Sequence, residues 1–188
     1  MSFLRQATIT PADARAAEYV LALGPPLDVH VDGGIDVFVH GPRRGVMPPF
    51  STLVTSGMSD TRMPKPAEVD IAIERAELVL YARRPTADHA ALLRELASLP
   101  LRTGAAFGLY HVVALRDRYF LLAPPPLTDR VESPFDEPLV FLWPIELTPA
   151  EAVFVAEHGH AELLDRLWGE PGTPPDCLLV DDARTPAV

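Results

Sequence analysis

The chain has 188 residues, of which 48% are hydrophobic and 22% are charged, a composition that is ordinary for a globular domain with a core of its own. Its single cysteine, Cys177, excludes an internal disulfide and a thiolate metal cluster, and its formal charge of −10 argues against nucleic acid and anionic membrane faces as partners. No apolar run approaches the roughly 20 residues that a bilayer requires, and the N-terminus lacks a secretory signal. We therefore expect a cytoplasmic protein.

The first half of the chain predicts one helix followed by four strands. Thr10 and Pro11 are typical of a helix start, and Gly24 with the two prolines after it is typical of a helix end. Alternating apolar residues around a glycine turn predict that the first two strands form a hairpin. The expected strands are residues 29–31, 35–39, 52–55 and 77–82.

The second half predicts further strands and three helices. A helix is expected from residue 86 to residue 99, where Pro100 would end it, and Thr148 to Glu151 has the pattern of a capping box. The expected strands are residues 109–115, 119–123 and 139–143, and the last two helices are residues 148–158 and 161–168.

This order of elements predicts an α+β fold. The strands are grouped in hairpins instead of alternating strictly with helices, so we expect a mixed, largely antiparallel sheet with helices packed on it. We assign residues 1–169 to this domain and residues 170–188 to a proline-rich, acidic C-terminal tail with one short apolar run.

The acidic charge is concentrated in the second half of the chain. Residues 100–188 hold 14 acidic and 6 basic residues, whereas residues 1–99 hold 12 and 10. An acidic surface attracts a basic protein, although the same charge also serves solubility alone. The arginine-rich composition, with one lysine and no asparagine, is typical of a GC-rich bacterial genome.

The segment that follows the third expected strand is the strongest candidate for a functional surface. The strand ends at a glycine flanked by serines, and the loop then carries an aspartate, an arginine and two methionines. Methionine adapts to varied partners, so these side chains would suit protein recognition if they are exposed, and they would otherwise pack beneath the loop. With the acidic link further on, the candidate partner-binding residues are Thr55, Ser56, Gly57, Met58, Ser59, Asp60, Arg62, Met63, Glu132, Asp136 and Glu137.

No pattern in the sequence predicts a catalytic residue, a metal site or a cofactor. Ser56 and Ser59 are not in the Gly-x-Ser-x-Gly arrangement of a nucleophile elbow, although either serine with a histidine would make a serine-dependent hydrolase. A glycine between two helices separates His158 from His160, unlike the zinc-binding His-Glu-x-x-His face. The glycine-rich stretches lack the phosphate-binding patterns, so no nucleotide is expected.

Three stretches of the chain resemble the Suppressor of fused domain family. Their order and spacing cover residues 35–168. They are Thr52–Asp60 with Met63 and the strand Glu77–Leu80; Phe120–Leu122 leading into Pro124–Pro126; and Phe141–Ile145 with Thr148–Glu151, His158-Gly159 and Leu163-Leu164.

The resemblance implies a protein-binding domain that is not an enzyme. In animals, the larger family member restrains Hedgehog signalling by binding Gli transcription factors, whereas we expect this chain to contain only the family domain. For a bacterial member the resemblance implies an immunity protein that neutralises a polymorphic toxin, here a basic toxin domain. A regulatory or scaffold subunit with an unrelated partner is the other non-enzymatic alternative, and the sequence leaves the oligomeric state open.

Overall fold

The computed structural model describes residues 10–32, 34–42, 49–64, 73–126, 139–168, 178–180 and 184–188. The strands are β1 (Pro26–His30), β2 (Asp36–His40), β3 (Ser51–Ser56), β4 (Arg75–Ala82), β5 (Val112–Leu115), β6 (Arg118–Ala123) and β7 (Leu139–Leu147). The helices are α1 (Pro11–Leu23), α2 (Ala87–Thr103), α3 (Pro149–His158) and α4 (His160–Trp168). Within these ranges, no helix combines the length and apolar character needed to cross a bilayer.

The strands form one sheet in the order β1-β2-β3-β4-β7-β6-β5. Neighbouring strands are antiparallel except for β4 and β7, which run parallel. The chain therefore builds two antiparallel units that meet at one parallel pair, and the long connection across that pair contains α2. This architecture confirms the predicted α+β fold with a mixed, largely antiparallel sheet.

Helices cover both faces of the sheet. The central strands alternate buried side chains between the faces, so that Leu78 and Leu80 of β4 pack with α2 while Val79 and Tyr81 pack in the cluster that includes residues of α1, α3 and α4. Because β4 is buried on both faces, its sequence is an almost continuous apolar run, as is typical of a central strand. The one acidic residue within that run, Glu77, is also buried.

The structure confirms the predicted helix starts at Thr10 and Thr148 and the predicted helix ends at Gly24 and Gly159. Thr10 and Thr148 each form a capping box, with Asp13 and Glu151 respectively, and Gly159 ends α3. Pro100, however, does not end α2, and that expectation was wrong. The helix continues to Thr103, because the Pro100 carbonyl accepts the N–H of Gly104 at 3.0 Å and Gly104 closes the last turn in the left-handed region at φ 72°.

Several strand boundaries also differ from expectation, by three or four residues at β1, β5 and β7. β5 begins at Val112 instead of residue 109, because Tyr110 adopts a φ of 67° in a turn that no regular strand accommodates. β7 runs through Pro144 to Leu147 instead of stopping at residue 143. Pairing of β7 with β4 ends at Leu142, so Pro144 lies where β7 has a strand partner only in β6, and the missing N–H is tolerated there.

The described part of the C-terminal tail packs against the domain. Leu179 forms a parallel β-bridge with Tyr81 of β4, and the N–H of Val180 donates to the Tyr81 carbonyl at 3.0 Å. Leu178 and Leu179 are both buried in the cluster on the α3–α4 face. Pairing between β4 and β7 ends at Leu78, and these residues lie along the edge of β4 beyond that point. The boundary between domain and tail after residue 169 stays a prediction.

Arg184 attaches the end of the tail to α3. Its guanidinium donates two hydrogen bonds of 2.6 Å to the buried Glu151 carboxylate and one of 2.8 Å to the Glu146 carbonyl, and the Ala187 N–H also donates to Glu151 at 2.8 Å. Burial opposes the ionisation of Glu151, but these bonds and the one from Thr148 N–H outweigh it and lower the pKa of Glu151 from 4.5 to about 2.

Arg184→Ala is expected to lower the free energy of unfolding by about 1–3 kcal/mol at pH 7, because Glu151 loses a charged partner. The pKa of Glu151 is lower in the folded state, so the contribution of this group is present above pH 4.5 and is lost as pH falls towards about 2. Urea unfolding across this range should show a smaller acid-dependent loss in the variant than in the wild type.

The matched control is Arg116→Ala, which breaks an exposed ion pair with Glu95 and should change stability by only about 0.5 kcal/mol. Equal effects of the two substitutions would contradict the role assigned to Arg184.

Candidate functional site

The loop after β3 begins with a turn that requires glycine. Gly57 has a φ of 125°, and a Cβ atom at this position would collide with the Gly34 carbonyl oxygen in the β1–β2 hairpin turn. A single 3₁₀ turn, Met58–Asp60, follows. The glycine therefore lets the chain leave the sheet sharply while staying against the neighbouring hairpin.

The buried carboxylate of Glu77 holds this loop from β4. Its Oε1 accepts hydrogen bonds from the Gly57 N–H at 3.0 Å, the Ser59 N–H at 3.0 Å and the Ser59 hydroxyl at 2.6 Å. Its Oε2 accepts the Thr55 hydroxyl at 2.6 Å. Four donors directed at one carboxylate stabilise its charge inside the protein and fix the loop backbone at two points.

Arg15 of α1 adds the opposite charge to the same cluster. The side chain is fully buried, and its Nε lies 3.7 Å from Glu77 Oε1 and donates to the Ser56 hydroxyl at 3.1 Å. Its Nη1 donates to Asp60 Oδ1 at 2.5 Å. Burial by itself would lower the pKa of Arg15, but the hydrogen bond to Asp60 and the charge of Glu77 raise it, so the guanidinium stays charged.

Two further side chains bind backbone carbonyls, one at the end of β3 and one in the loop. The Tyr19 hydroxyl donates to the Thr55 carbonyl at 2.7 Å, and Arg75 Nη1 donates to the Ser59 carbonyl at 2.5 Å. Burial raises the pKa of Tyr19 well above its ordinary value, so the phenol remains a neutral donor. We refer to Arg15, Tyr19, Thr55, Ser59 and Glu77 as the Glu77 cluster.

The structure divides the predicted site residues into a buried and an exposed group. Thr55, Ser56, Met58, Ser59 and Met63 are buried, Gly57 is half-buried, and Asp60 and Arg62 are exposed. Glu132, Asp136 and Glu137 lie outside the described residues.

Of the two alternatives that the sequence left open for the loop methionines, the structure shows that both side chains pack beneath the loop. Met58 is 2% exposed and packs with Met63 in the core cluster on the α2 face. The 3₁₀ turn directs Met58 inward, and the hydrogen bond from Met63 N–H to the Glu74 carbonyl at 2.9 Å draws the end of the loop back to the start of β4. Whether the exposed part of the loop contacts a partner stays a prediction.

The two loop serines have structural hydrogen bonds instead of the geometry of a nucleophile. Ser56 accepts from Arg15, and the Ser59 hydroxyl donates to Glu77. Their hydrogen bonds involve no histidine among the described residues, and the buried His40 instead pairs through Nδ1 with the Gly24 carbonyl at 2.8 Å. The described residues also contain no group of three His, Cys, Asp or Glu side chains that could hold a metal ion.

Sequence reasoning missed the two charged residues at the centre of the cluster. Both left a signal, since Glu77 interrupts an apolar strand and Arg15 is four residues before Tyr19, on the face of α1 that the sheet buries. A charge at a position expected to be buried indicates a buried partner. The sequence could not show which charges meet.

The fold and the site together define a small α+β domain that presents a surface loop fixed from below by buried charges. The chain belongs to the Suppressor of fused family, whose model, described as "Suppressor of fused protein (SUFU)", matches residues 32–178. This match confirms the family that the sequence resembles. A search of curated proteins finds no match.

Solved structures show the same fold at low sequence identity. A SUFU homologue from Neisseria gonorrhoeae aligns with a TM-score of 0.67 at 18% identity, over 94% of this chain and 96% of that one. A chain of the Sufu-Fu complex aligns with a TM-score of 0.66 at 16% identity, over 94% and 90%. Drosophila Suppressor of Fused aligns with a TM-score of 0.65 at 16% identity, but this chain spans only 50% of its length.

Glu77→Gln is expected to lower the free energy of unfolding by about 2–4 kcal/mol, because an amide nitrogen would face at least one of the donors that the carboxylate accepts. Hydrogen exchange should also become faster at the Gly57 and Ser59 amides. Urea unfolding and amide exchange measure the two effects. Glu18→Gln, at a half-buried position on α1, is the control and should change stability by less than about 0.5 kcal/mol.

Gly57→Ala is expected to destabilise the fold by about 2 kcal/mol or more, because the new methyl group combines a disfavoured φ with a backbone collision. Gly34→Ala is the matched control, since a Cβ at Gly34 meets nothing within 4 Å, and it should be close to neutral. Thermal unfolding of both variants tests the comparison. Similar midpoints for the two would mean that the turn accommodates a side chain.

Proposed function

We propose that this domain binds another protein through the exposed rim of the loop, Asp60–Arg62, and that it neutralises a basic toxin domain in the cytoplasm as an immunity protein. The proposal does not include an enzymatic activity.

The observation that carries the proposed binding function is the Glu77 cluster. Burying opposite charges costs several kcal/mol of desolvation, and well-packed apolar residues would often stabilise a core as well or better. We expect a cluster with this cost beneath a surface loop when the shape of that loop is needed for binding.

A fixed loop lowers the cost of binding. Ordering loose side chains and backbone at an interface consumes interaction energy, and a loop that is already ordered avoids that loss. In this proposal the buried candidates Thr55, Ser56, Met58 and Ser59 support the rim and do not contact the partner. Asp60 and Arg62 provide charges of both signs at the surface, and Arg62 lies 3.6 Å from Glu74.

The charge of the chain supports a basic partner. The formal charge is −10, and most of it belongs to residues 100–188. Opposite charges accelerate encounter, and this acceleration weakens as salt screens the field. We assign Glu132, Asp136 and Glu137 to this steering, because they form the densest acidic stretch before β7.

The relatives support protein binding in general. One matched structure is the Sufu-Fu complex, so a family member is known in complex. The Neisseria homologue is matched over nearly its whole chain, which supports a bacterial role for the family domain by itself. Neutralising a toxin is a role of this kind, because it requires only a tight complex between the immunity protein and the toxin.

Co-expression in a bacterial host tests the proposed function, with the candidate toxin encoded beside this gene as the probe. Wild-type protein should restore growth, and Thr61→Trp at the rim should reduce rescue and weaken binding by about tenfold or more, because the bulky ring blocks contact. Ala156→Trp on the exposed face of α3 is the control and should leave both unchanged.

A charge-reversal pair tests steering separately. Glu132→Lys combined with Asp136→Lys should slow association at low salt and flatten its salt dependence. Asp117→Lys in the exposed β5–β6 turn should change the association rate and its salt dependence less. Absence of both rescue and a complex would overturn the immunity role. Full growth rescue by the Thr61→Trp variant would show that the rim is not part of the interface.

A further inference from the structure

An exposed apolar stripe runs along β1, at one edge of the sheet. Leu27 is 70% exposed, Val29 is 36% exposed, and Val31, directly after the strand, is 72% exposed. Exposed apolar residues that recur at every second position of an edge strand differ from the scattered single residues that most surfaces carry. No strand in the described part of the chain pairs with the outer side of β1.

Val29 continues one face of the sheet, and Val31 follows it at the next position of that face. Val29 is directly opposite Phe38 of β2, and Phe38 packs edge-on against Tyr19 with the ring centres 5.9 Å apart. Leu27 is separated from Val29 by the register shift between Pro26 and Asp28, and its Cδ1 lies 3.3 Å from the position that a Cβ on Gly41 would occupy. A strand added outside β1 would extend this apolar face.

Acidic side chains accompany the stripe. Asp28, between Leu27 and Val29, and Asp32, directly after Val31, have side chains that are 66% and 70% exposed. The Asp28 carboxylate accepts the Val29 N–H at 2.8 Å and so caps a backbone donor on the edge strand. Such a cap, together with the irregular pairing between Pro26 and Asp28, discourages indiscriminate strand pairing.

Arg94 of α2 holds the hairpin that carries this edge. Its guanidinium donates to the His30 carbonyl and the Ile35 carbonyl, each at 3.0 Å, and to Asp32 at 3.2 Å. One side chain therefore connects both ends of the β1–β2 turn to the helix layer. The hairpin that carries β1 is therefore anchored to α2 at its turn.

We propose that the outer side of β1 is a docking site for an extended segment of a partner protein in which apolar side chains alternate with lysine or arginine. The apolar side chains would pack on Val29 and Val31, with Leu27 at the end of the strand, and the basic side chains would lie near Asp28 and Asp32. A partner carbonyl would accept the Val29 N–H in place of Asp28, and the released carboxylate would pair with a partner cation.

This docking site rests on the proposed protein-binding function, but it depends neither on the immunity role nor on the loop rim. A second copy of the chain is a poorer occupant, because two copies paired at β1 would bring Asp28 and Asp32 towards the same acids in a chain of charge −10. Charge complementarity favours a basic strand from another protein.

Fluorescence anisotropy with a labelled peptide, Lys-Val-Arg-Val-Lys-Val-Arg, tests the proposal on the full chain. We expect binding that weakens as salt rises, and binding at least about tenfold weaker for Val29→Lys and for Asp28→Lys. Val112→Lys is the matched control, because Val112 is 39% exposed on the opposite edge strand, and it should bind as the wild type does. The same peptide with proline at its central valine cannot continue a strand and should bind at least about tenfold more weakly.

Peptide-induced amide shifts should be confined to residues 26–32 and their neighbours on β2. Equal weakening by Val29→Lys and Val112→Lys, undiminished binding of the proline peptide, or no binding at all would overturn the proposal. Sedimentation that shows a wild-type dimer dissociated by Val29→Lys would also overturn it, in favour of a second copy. Growth rescue by the co-expression test in the absence of peptide binding would reject this edge alone, whereas peptide binding without rescue would reject the immunity role alone.

Discussion

The hydrogen-bonded carboxylate of Glu77 is the constraint on which the organised surface of this domain depends. It lies on a strand that is buried on both faces, where an isolated charge would be prohibitively costly. The protein meets this cost locally, since the end of β3, the following loop and α1 all direct donors or positive charge at one carboxylate. Removing that centre would leave donors from three elements without a common acceptor.

The same cluster links the helix layer to the loop. Arg15 reaches from α1 past Ser56 to Asp60, and Tyr19, one turn later, donates to the Thr55 carbonyl. The position of α1 and the conformation of the loop are therefore coupled. The second buried carboxylate, Glu151, has a comparable part at the opposite end of the chain, where Arg184 secures the tail. In both places a buried acid fixes a segment that has little core of its own.

Sequence patterns predicted those parts of the fold that depend on neighbours along the chain. The capping boxes at Thr10 and Thr148 and the glycine after α3 are local, so their positions could be read directly. The rule that proline ends a helix is local as well, but it was wrong at Pro100, because the ring is buried in the last turn and Gly104 completes the cap. The family was identified from stretches whose spacing along the chain carries the signal, and its model match agrees.

The candidate site was only half determined by the sequence. The sequence located the loop and the glycine at its start, since a strand that stops at a glycine between serines is a local feature. It did not determine that Met58 faces the core, nor that Arg15 and Glu77 meet beneath the loop. Burial and ion pairing between distant residues depend on which faces of α1, β3 and β4 pack together, and that arrangement exists only in the tertiary structure. Composition set the acidic charge of the molecule, while sheet order alone decided that the exposed residues of β1 lie at an edge.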